Sequence, residues 1–236
     1  MFISLGPSCH AAGNLAKLGL RDQSLPFDWL LCNGTRVFEY VNKLINTHFR
    51  YFTKELIYNY RENVISKNYD YVEFVHYDLI KNKPIGRKKD RDKNLIEMMN
   101  RRADRFMNII SNKSNNVIFI CRITYTLLIK DGLINNMKLY QDMLSFDTNK
   151  NIQCNFKILI YLCQKDNYEM IIPTELLNLK HFIFDKYIHN TSFDKIYGNP
   201  KDFKYLLEKN KLLKKNKVKK KLSEKEILLL RIKNKR

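Results

Sequence analysis

VIFICRI, residues 117–123, decides how this chain of 236 residues is read. Six of its seven residues are apolar, mostly β-branched or aromatic, and no polar alternation interrupts them. Such a run fits a strand covered on both faces. Working outward, the same signature recurs in FISL (2–5), YVEFVH (71–76), FKILIYLC (156–163) and HFIFDKY (181–187). Helical patterns lie between them. Residues 9–19 place Ala12, Leu15, Ala16 and Leu18 on one side, and 35–46 do the same with Val37, Phe38, Val41, Leu44 and Ile45. NLIEMMNRRADRFMNIIS (94–111) is a long amphipathic segment, and 133–144 is another. Strand alternating with helix predicts an α/β fold, a three-layer sandwich around a mostly parallel five-stranded sheet.

With 44% hydrophobic residues the chain can bury one good core, which predicts a single domain over 1–200. Segment 47–68 is aromatic and polar without a clean period and reads as an insertion or cap, and KNKPIGRKKDRDK (81–93) as a charged loop. The net charge of +19 is uneven: residues 201–236 hold fifteen Lys or Arg against four Asp or Glu, a net +11 that leaves +8 for the rest. The excess belongs to a basic, helical C-terminal tail suited to nonspecific contacts with polyanions. Five cysteines are too widely spaced for a metal pair and too few for a disulfide framework, so no metal and no cofactor is expected. No run is long enough to span a bilayer and no basic leader precedes FISL, which predicts a soluble, intracellular protein. The wealth of Asn, Lys and Ile suits an AT-rich genome, a viral one in a host cytoplasm included.

Ligands of open parallel sheets bind beyond the carboxyl ends of the strands, so the residues just after each run carry the chemistry. They are Gly6, Ser8, Cys9 and His10 after the first, His76 and Asp78 after the second, Arg122 at the third, Gln164 and Asp166 after the fourth, and Asp185 and His189 at the fifth. Cys9 has two readings. In one, the Gly6-Pro7 turn aims backbone N–H groups at a pocket and the positive end of the helix stabilises a nucleophilic thiolate. In the other, it is a small apolar residue tucked beneath the strand. His76 is either a general base within reach of that thiol or a polar strand terminus. Arg122, flanked by apolar residues, pairs with a carboxylate or clamps a substrate anion. His189 joins a triad with Asp185 or lies in an exposed loop. In SLPFDWLL (24–31), Phe27 and Trp29 read as packing, while Asp28 turns into the site or caps a helix. Arg102 and Arg105 of RRADRF read as a solvated stripe.

The stretch SLGPSCHAAGNLAKLGLRDQSLPFDWLL (4–31) resembles the DUF1796 family, described as papain-like cysteine peptidases, through Ser4, Gly6, Cys9, Gly19, Leu20, Arg21, Pro26, Phe27, Asp28 and Trp29. EFVHYDL (73–79), the RRADRF helix and VIFICR (117–122) look like its later blocks, so the resemblance covers roughly residues 1–165. It implies Cys9 as nucleophile and His76 as its base. It also implies a helix-borne Cys paired with an antiparallel barrel that carries the His, whereas the order of elements reads as parallel βαβ.

Two function classes follow. One is a cysteine-dependent hydrolase or acyltransferase, a peptidase included, with catalytic Cys9, His76 and Asp28 and with Gly6, Ser8, Arg122 and His189 around the substrate. The other is a non-covalent Rossmann-like transferase or binding protein, holding a phosphate or sugar nucleotide at the Gly6-Pro7-Ser8 turn. The chain has neither GxGxxG nor a Walker motif to strengthen the second.

Overall fold

A computed structural model describes residues 1–32, 34–58, 63–74, 88–124, 132–164, 172, 174–188 and 198–213. The four apolar runs at 2–5, 117–123, 156–163 and 181–187 form a parallel sheet. Strand β1 (Phe2–Ser4) pairs with β6 (Asn116–Thr124), β6 with β7 (Asn155–Gln164), and β7 with β8 (Phe182–Ile188). The register sets Ser4 beside Ile120, Arg122 beside Tyr161, and Tyr161 beside Asp185.

Helices cover both faces. On one lie α1 (Cys9–Lys17) and, late in the chain, α6 (Pro200–Lys209), whose Ala11, Leu15, Phe203, Leu206 and Leu207 pack with Ile120, Leu159 and Tyr161. On the other, α2 (Val37–Asn46), α3 (Lys88–Ser111) and α4 (Gly132–Asp147) enclose Phe119, Cys121, Ile123, Ile158, Ile160 and Leu162. Alternation along β6 and β7 thus sends odd and even positions into two different cores, as a sheet buried on both sides requires. A short helix α5 (Thr174–Leu177) precedes β8.

Among the described residues the parallel sheet has four strands, not the five expected. Segment 71–76 contributes instead to a second, antiparallel sheet in the order β2 (Leu31–Cys32), β5 (Tyr69–Phe74), β4 (Val64–Ser66), β3 (Leu56–Tyr58). Buried Val72 and Phe74 flank a half-buried Glu73, which accepts from Asn63 Nδ2 at 2.7 Å. That alternation belongs to a strand with one covered face. The region 47–68, aperiodic in sequence, supplies β3 and β4. Lys88–Lys93, read as part of a charged loop, opens α3.

The segment read as a tail begins inside the body. Asn199 caps α6 by accepting from the Lys201 N–H at 3.0 Å, Pro200 occupies its first turn, and Phe203, Leu206 and Leu207 are buried against the sheet. A boundary at residue 200 therefore cuts through a packed helix. Residues 214–236 lie outside the described residues.

Candidate active site

Cys9 is the first residue of α1, reached through a tightly tethered turn. Gly6 has φ +87°, a left-handed conformation that glycine adopts without a Cβ penalty. Its N–H donates to Ser4 Oγ at 3.3 Å, and its carbonyl accepts from the Arg122 N–H at 3.3 Å. The Pro7 carbonyl accepts from the Cys32 N–H at 3.0 Å. Ser8 caps the helix, its Oγ accepting from the His10 N–H at 3.4 Å, a contact type worth about 1 kcal/mol. With Gly6 engaged and Pro7 lacking an N–H, the N–H groups of Ser8 and Cys9 are the ones in this turn with no acceptor among the described residues.

The antiparallel sheet is docked on this turn. Through β2 it holds Cys32 against Pro7, and through the register of β2 with β5 it sets Leu31 beside Glu73 and Cys32 beside Val72. The described residues thus combine a parallel sheet, as the element order predicts, with a four-stranded antiparallel sheet hydrogen-bonded to the turn before Cys9, where the resemblance implies a barrel. His76 follows the last residue of β5 by two positions and lies outside the described residues, as do His189, Asp78 and Asp166.

The five thiols differ sharply. Cys9 is half-buried at the helix start. Desolvation pushes the Cys32 thiol up to about 12 against the pull of Arg36, and burial also raises those of Cys121, Cys154 and Cys163. Those four are held as neutral thiols at physiological pH.

His10, next to Cys9, turns the other way. It is 1% exposed, its Nδ1 lies 2.7 Å from the Tyr161 hydroxyl, and its ring is edge-on to Tyr187 and Phe203. The Asn14 amide donates to the His10 carbonyl at 3.0 Å. Nothing in the local sequence announced the bond between His10 and Tyr161, because its partners are 151 residues apart and meet only through the register of β6 and β7. Arg122 shares this face, half-buried, and no carboxylate pairs with it among the described residues. Asp185, in the same register row, instead accepts from Lys209 Nζ and Asn210 Nδ2, each at 2.7 Å.

Asp28 sits in a different setting. It is 1% exposed and accepts from the Leu25 N–H at 2.8 Å and from Arg21 at 3.3 Å. Arg21 in turn stacks over Trp29 at 5.0 Å. Burial raises the Asp28 carboxyl to about 6, opposed by the Leu25 bond and by the charges of Arg21, Arg102 and Arg105. Arg102 and Arg105 are therefore half-buried partners of this corner rather than a solvated stripe. Phe27 packs edge-on against Tyr40 and Phe106, and its carbonyl lies 3.8 Å from where a Cβ on Gly6 would stand. The corner braces the Cys9 turn from outside.

Residues 1–166 match the family described as "Putative papain-like cysteine peptidase (DUF1796)". The chain belongs to this family. An uncharacterized protein of Acanthamoeba polyphaga mimivirus is 60% identical over 30 residues, 13% of this chain and 14% of that protein, so the shared stretch spans a small part of either. No solved structure matches the chain. No helix among the described residues is long and apolar enough to cross a membrane.

Proposed function

We propose that the protein is a cysteine-dependent acyl hydrolase of the peptidase type, with Cys9 as nucleophile and His76 as the base that takes its proton. The observation that carries this reading is the position of Cys9, half-buried at the start of α1 beside the open N–H groups of the turn, whereas Cys32 lies in a short strand and Cys121, Cys154 and Cys163 are buried. The thiolate would attack the substrate carbonyl, forming a thioester as the leaving group departs with the proton from His76, and water would then release the acid and restore the thiol. The developing oxyanion would meet the N–H groups of Ser8 and Cys9, which have no acceptor among the described residues. Membership of the family and the strand that runs toward His76 on a sheet docked at this turn both support the assignment. Asp28 enters as a brace of the turn rather than as a third catalytic group.

Mild treatment with iodoacetamide followed by peptide mass spectrometry should modify Cys9 first. His76→Ala should slow that reaction at about pH 6.5 while leaving the melting curve in place. Faster labelling at Cys32 or Cys154, or equal alkylation rates with and without His76, would remove the basis for the reading.

A further inference from the structure

Three guanidinium groups from two parts of the chain converge on the corner at Asp28 and Trp29. Arg21 Nη1 donates to Asp28 Oδ2 at 3.3 Å, and the same guanidinium lies over the Trp29 ring at 5.0 Å. Held by a carboxylate and an indole, its planar fork has a fixed direction. Arg102 and Arg105 come from α3, and the charges of both act on the Asp28 carboxyl. Aromatic packing brings them there: Phe106, the residue after Arg105, lies edge-on to Phe27, the residue before Asp28, at 5.1 Å. A spacing of three residues puts Arg102 and Arg105 on one face of the helix and turns the exposed Asp104 off it.

Bracing the Cys9 turn does not require all three. Asp28 Oδ2 accepts from the Leu25 N–H at 2.8 Å and from Arg21, while Arg102 and Arg105 act on the carboxyl as charges. Arg105 Nε donates to the Arg101 carbonyl at 3.2 Å, a bond within its own helix that leaves the two terminal nitrogens for another acceptor. Arg102, Arg105 and Trp29 are half-buried, so solvent reaches the corner, whereas Asp28 is 1% exposed. A ligand arriving from solvent therefore meets the guanidinium groups before the carboxylate. Asp22, next to Arg21, and Asp104 are exposed, and water screens their charge. Guanidinium groups gathered at one point repel one another, and an anion seated among them relieves that repulsion. A carboxylate offers its oxygens in one plane, but a tetrahedral phosphate accepts from several directions at once, as forks arriving from a loop and from a helix demand.

We propose that Arg21, Arg102 and Arg105 bind a phosphate monoester beside Trp29. The corner abuts the turn before Cys9, since the Phe27 carbonyl lies 3.8 Å from where a Cβ on Gly6 would stand, so a phosphorylated ligand held here is docked against that turn. Binding needs no reactive thiol and is tested apart from the reading of Cys9. Trp29 is the only tryptophan of the chain, which makes its emission a reporter of this corner, blind to phosphate held by the lysines of residues 214–236.

The probes are methyl phosphate, a monoester that is largely a dianion at about pH 7.5, and dimethyl phosphate, a singly charged diester of the kind found in nucleic-acid backbones and lipid headgroups. Added to the full chain at constant ionic strength, methyl phosphate should change Trp29 emission to saturation, and dimethyl phosphate should need at least about tenfold more. Arg105→Gln should raise the methyl phosphate midpoint about tenfold, the loss expected for one charge-assisted hydrogen bond. Emission that follows ionic strength alone, or an unchanged midpoint in folded Arg105→Gln, would overturn the site. A diester that binds as well as the monoester would overturn the ligand class. Should the variant fail to fold, the native protein suffices: methyl phosphate should shield Trp29 from quenching by iodide more than chloride does at equal ionic strength. Equal quenching in the two salts would overturn the proposal.

Discussion

The two faces of the parallel sheet are built from different chemistry. On the side of α2, α3 and α4, Phe119 lies edge-on to Phe146 at 5.5 Å and beside Phe106, while Phe146 meets Phe38 at 5.5 Å, a continuous hydrocarbon layer. On the side of α1 and α6, His10, Asn14, Arg122, Tyr161, Tyr187 and Asp185 share the interior with Ile120, Leu159 and Phe203. The first face gains its stability from apolar area and edge-to-face ring contacts. The second gives up part of that to seat polar groups beneath the helix that carries Cys9. Hydrocarbon packing and buried polar contacts are thus assigned to opposite sides of one sheet.

Truncation on each face should break this contrast in opposite ways. Phe119→Ala should cost about 3–5 kcal/mol of unfolding free energy, the usual range for a fully buried phenylalanine, with Cys9 alkylation unchanged in the fraction that stays folded. Tyr161→Phe removes one hydroxyl and should cost roughly 1–3 kcal/mol, because His10 Nδ1 loses its 2.7 Å bond and keeps only the longer approach of the Asn14 amide at 3.5 Å among the bonds described at that atom. It should nevertheless alter the alkylation rate of Cys9, since the first turn of α1 is anchored through His10. Denaturant melts combined with alkylation kinetics read both quantities. An alkylation rate that follows Phe119 and ignores Tyr161 would dissolve the division between the faces.

Asp28 sharpens the comparison from outside the sheet. Its carboxyl is raised to about 6 from a usual value near 3.8, mainly by burial. The folded protein therefore binds a proton here more readily than the unfolded chain does. Above pH 6 the ionised group subtracts stability, and as pH falls through 6 toward 4 that penalty is relieved. The gain is of order 2–3 kcal/mol if the full difference is expressed. Glu39 works in the opposite sense: bonds from Arg36 and Lys138 lower it to about 2, so its contribution fades as pH falls below its unfolded value. Total stability mixes the two. The difference between native protein and Asp28→Asn, whose side-chain oxygen still accepts from Leu25, isolates the first. That difference should shift in favour of the native protein between pH 7 and 4, and a flat difference would show that Asp28 is not the titrating group.

How much of this was readable in the sequence depended on the length of each signal. The runs at 117–123 and 156–163 are continuous in apolar residues, so β6 and β7 and their double burial followed from composition alone. Val72-Glu73-Phe74 carries the alternation of a half-covered strand, whereas the apolar content of YVEFVH as a whole points to the parallel sheet, which β5 does not join. Strands β2, β3 and β4 are two or three residues long, too short for any period to register. Cys9 at a helix start was visible because turn, cap and helix are contiguous. The bond between His10 and Tyr161 and the placing of Arg122 beside Tyr161 depend on register across distant strands, which no local pattern encodes. Arg102 and Arg105 misled for the same reason, since their partner Asp28 lies on another element.

The smallest expected effect on the body comes from its most charged segment. Residues 214–236 hold eleven Lys or Arg against two Glu, whereas the last described residues, Leu212 and Leu213, pack on the face shared by α1 and α6 and donate their N–H groups to Leu207 at 2.9 and 3.3 Å. Truncation after Leu213 therefore keeps every apolar contact that the described residues make on the polar face. It should leave the melting temperature within about 2 °C of the full chain and Cys9 alkylation unchanged. What it should abolish is salt-sensitive retention on DNA, RNA or anionic vesicles, because a contact made by lysines weakens steeply with ionic strength in proportion to the phosphates neutralised. Melting curves with and without the segment, alongside polyanion binding measured across a salt series, separate the two contributions. A drop of several degrees with binding intact would mean that the apolar Ile227–Leu230 stretch packs on the body, and the polar face would then be closed by more than α6.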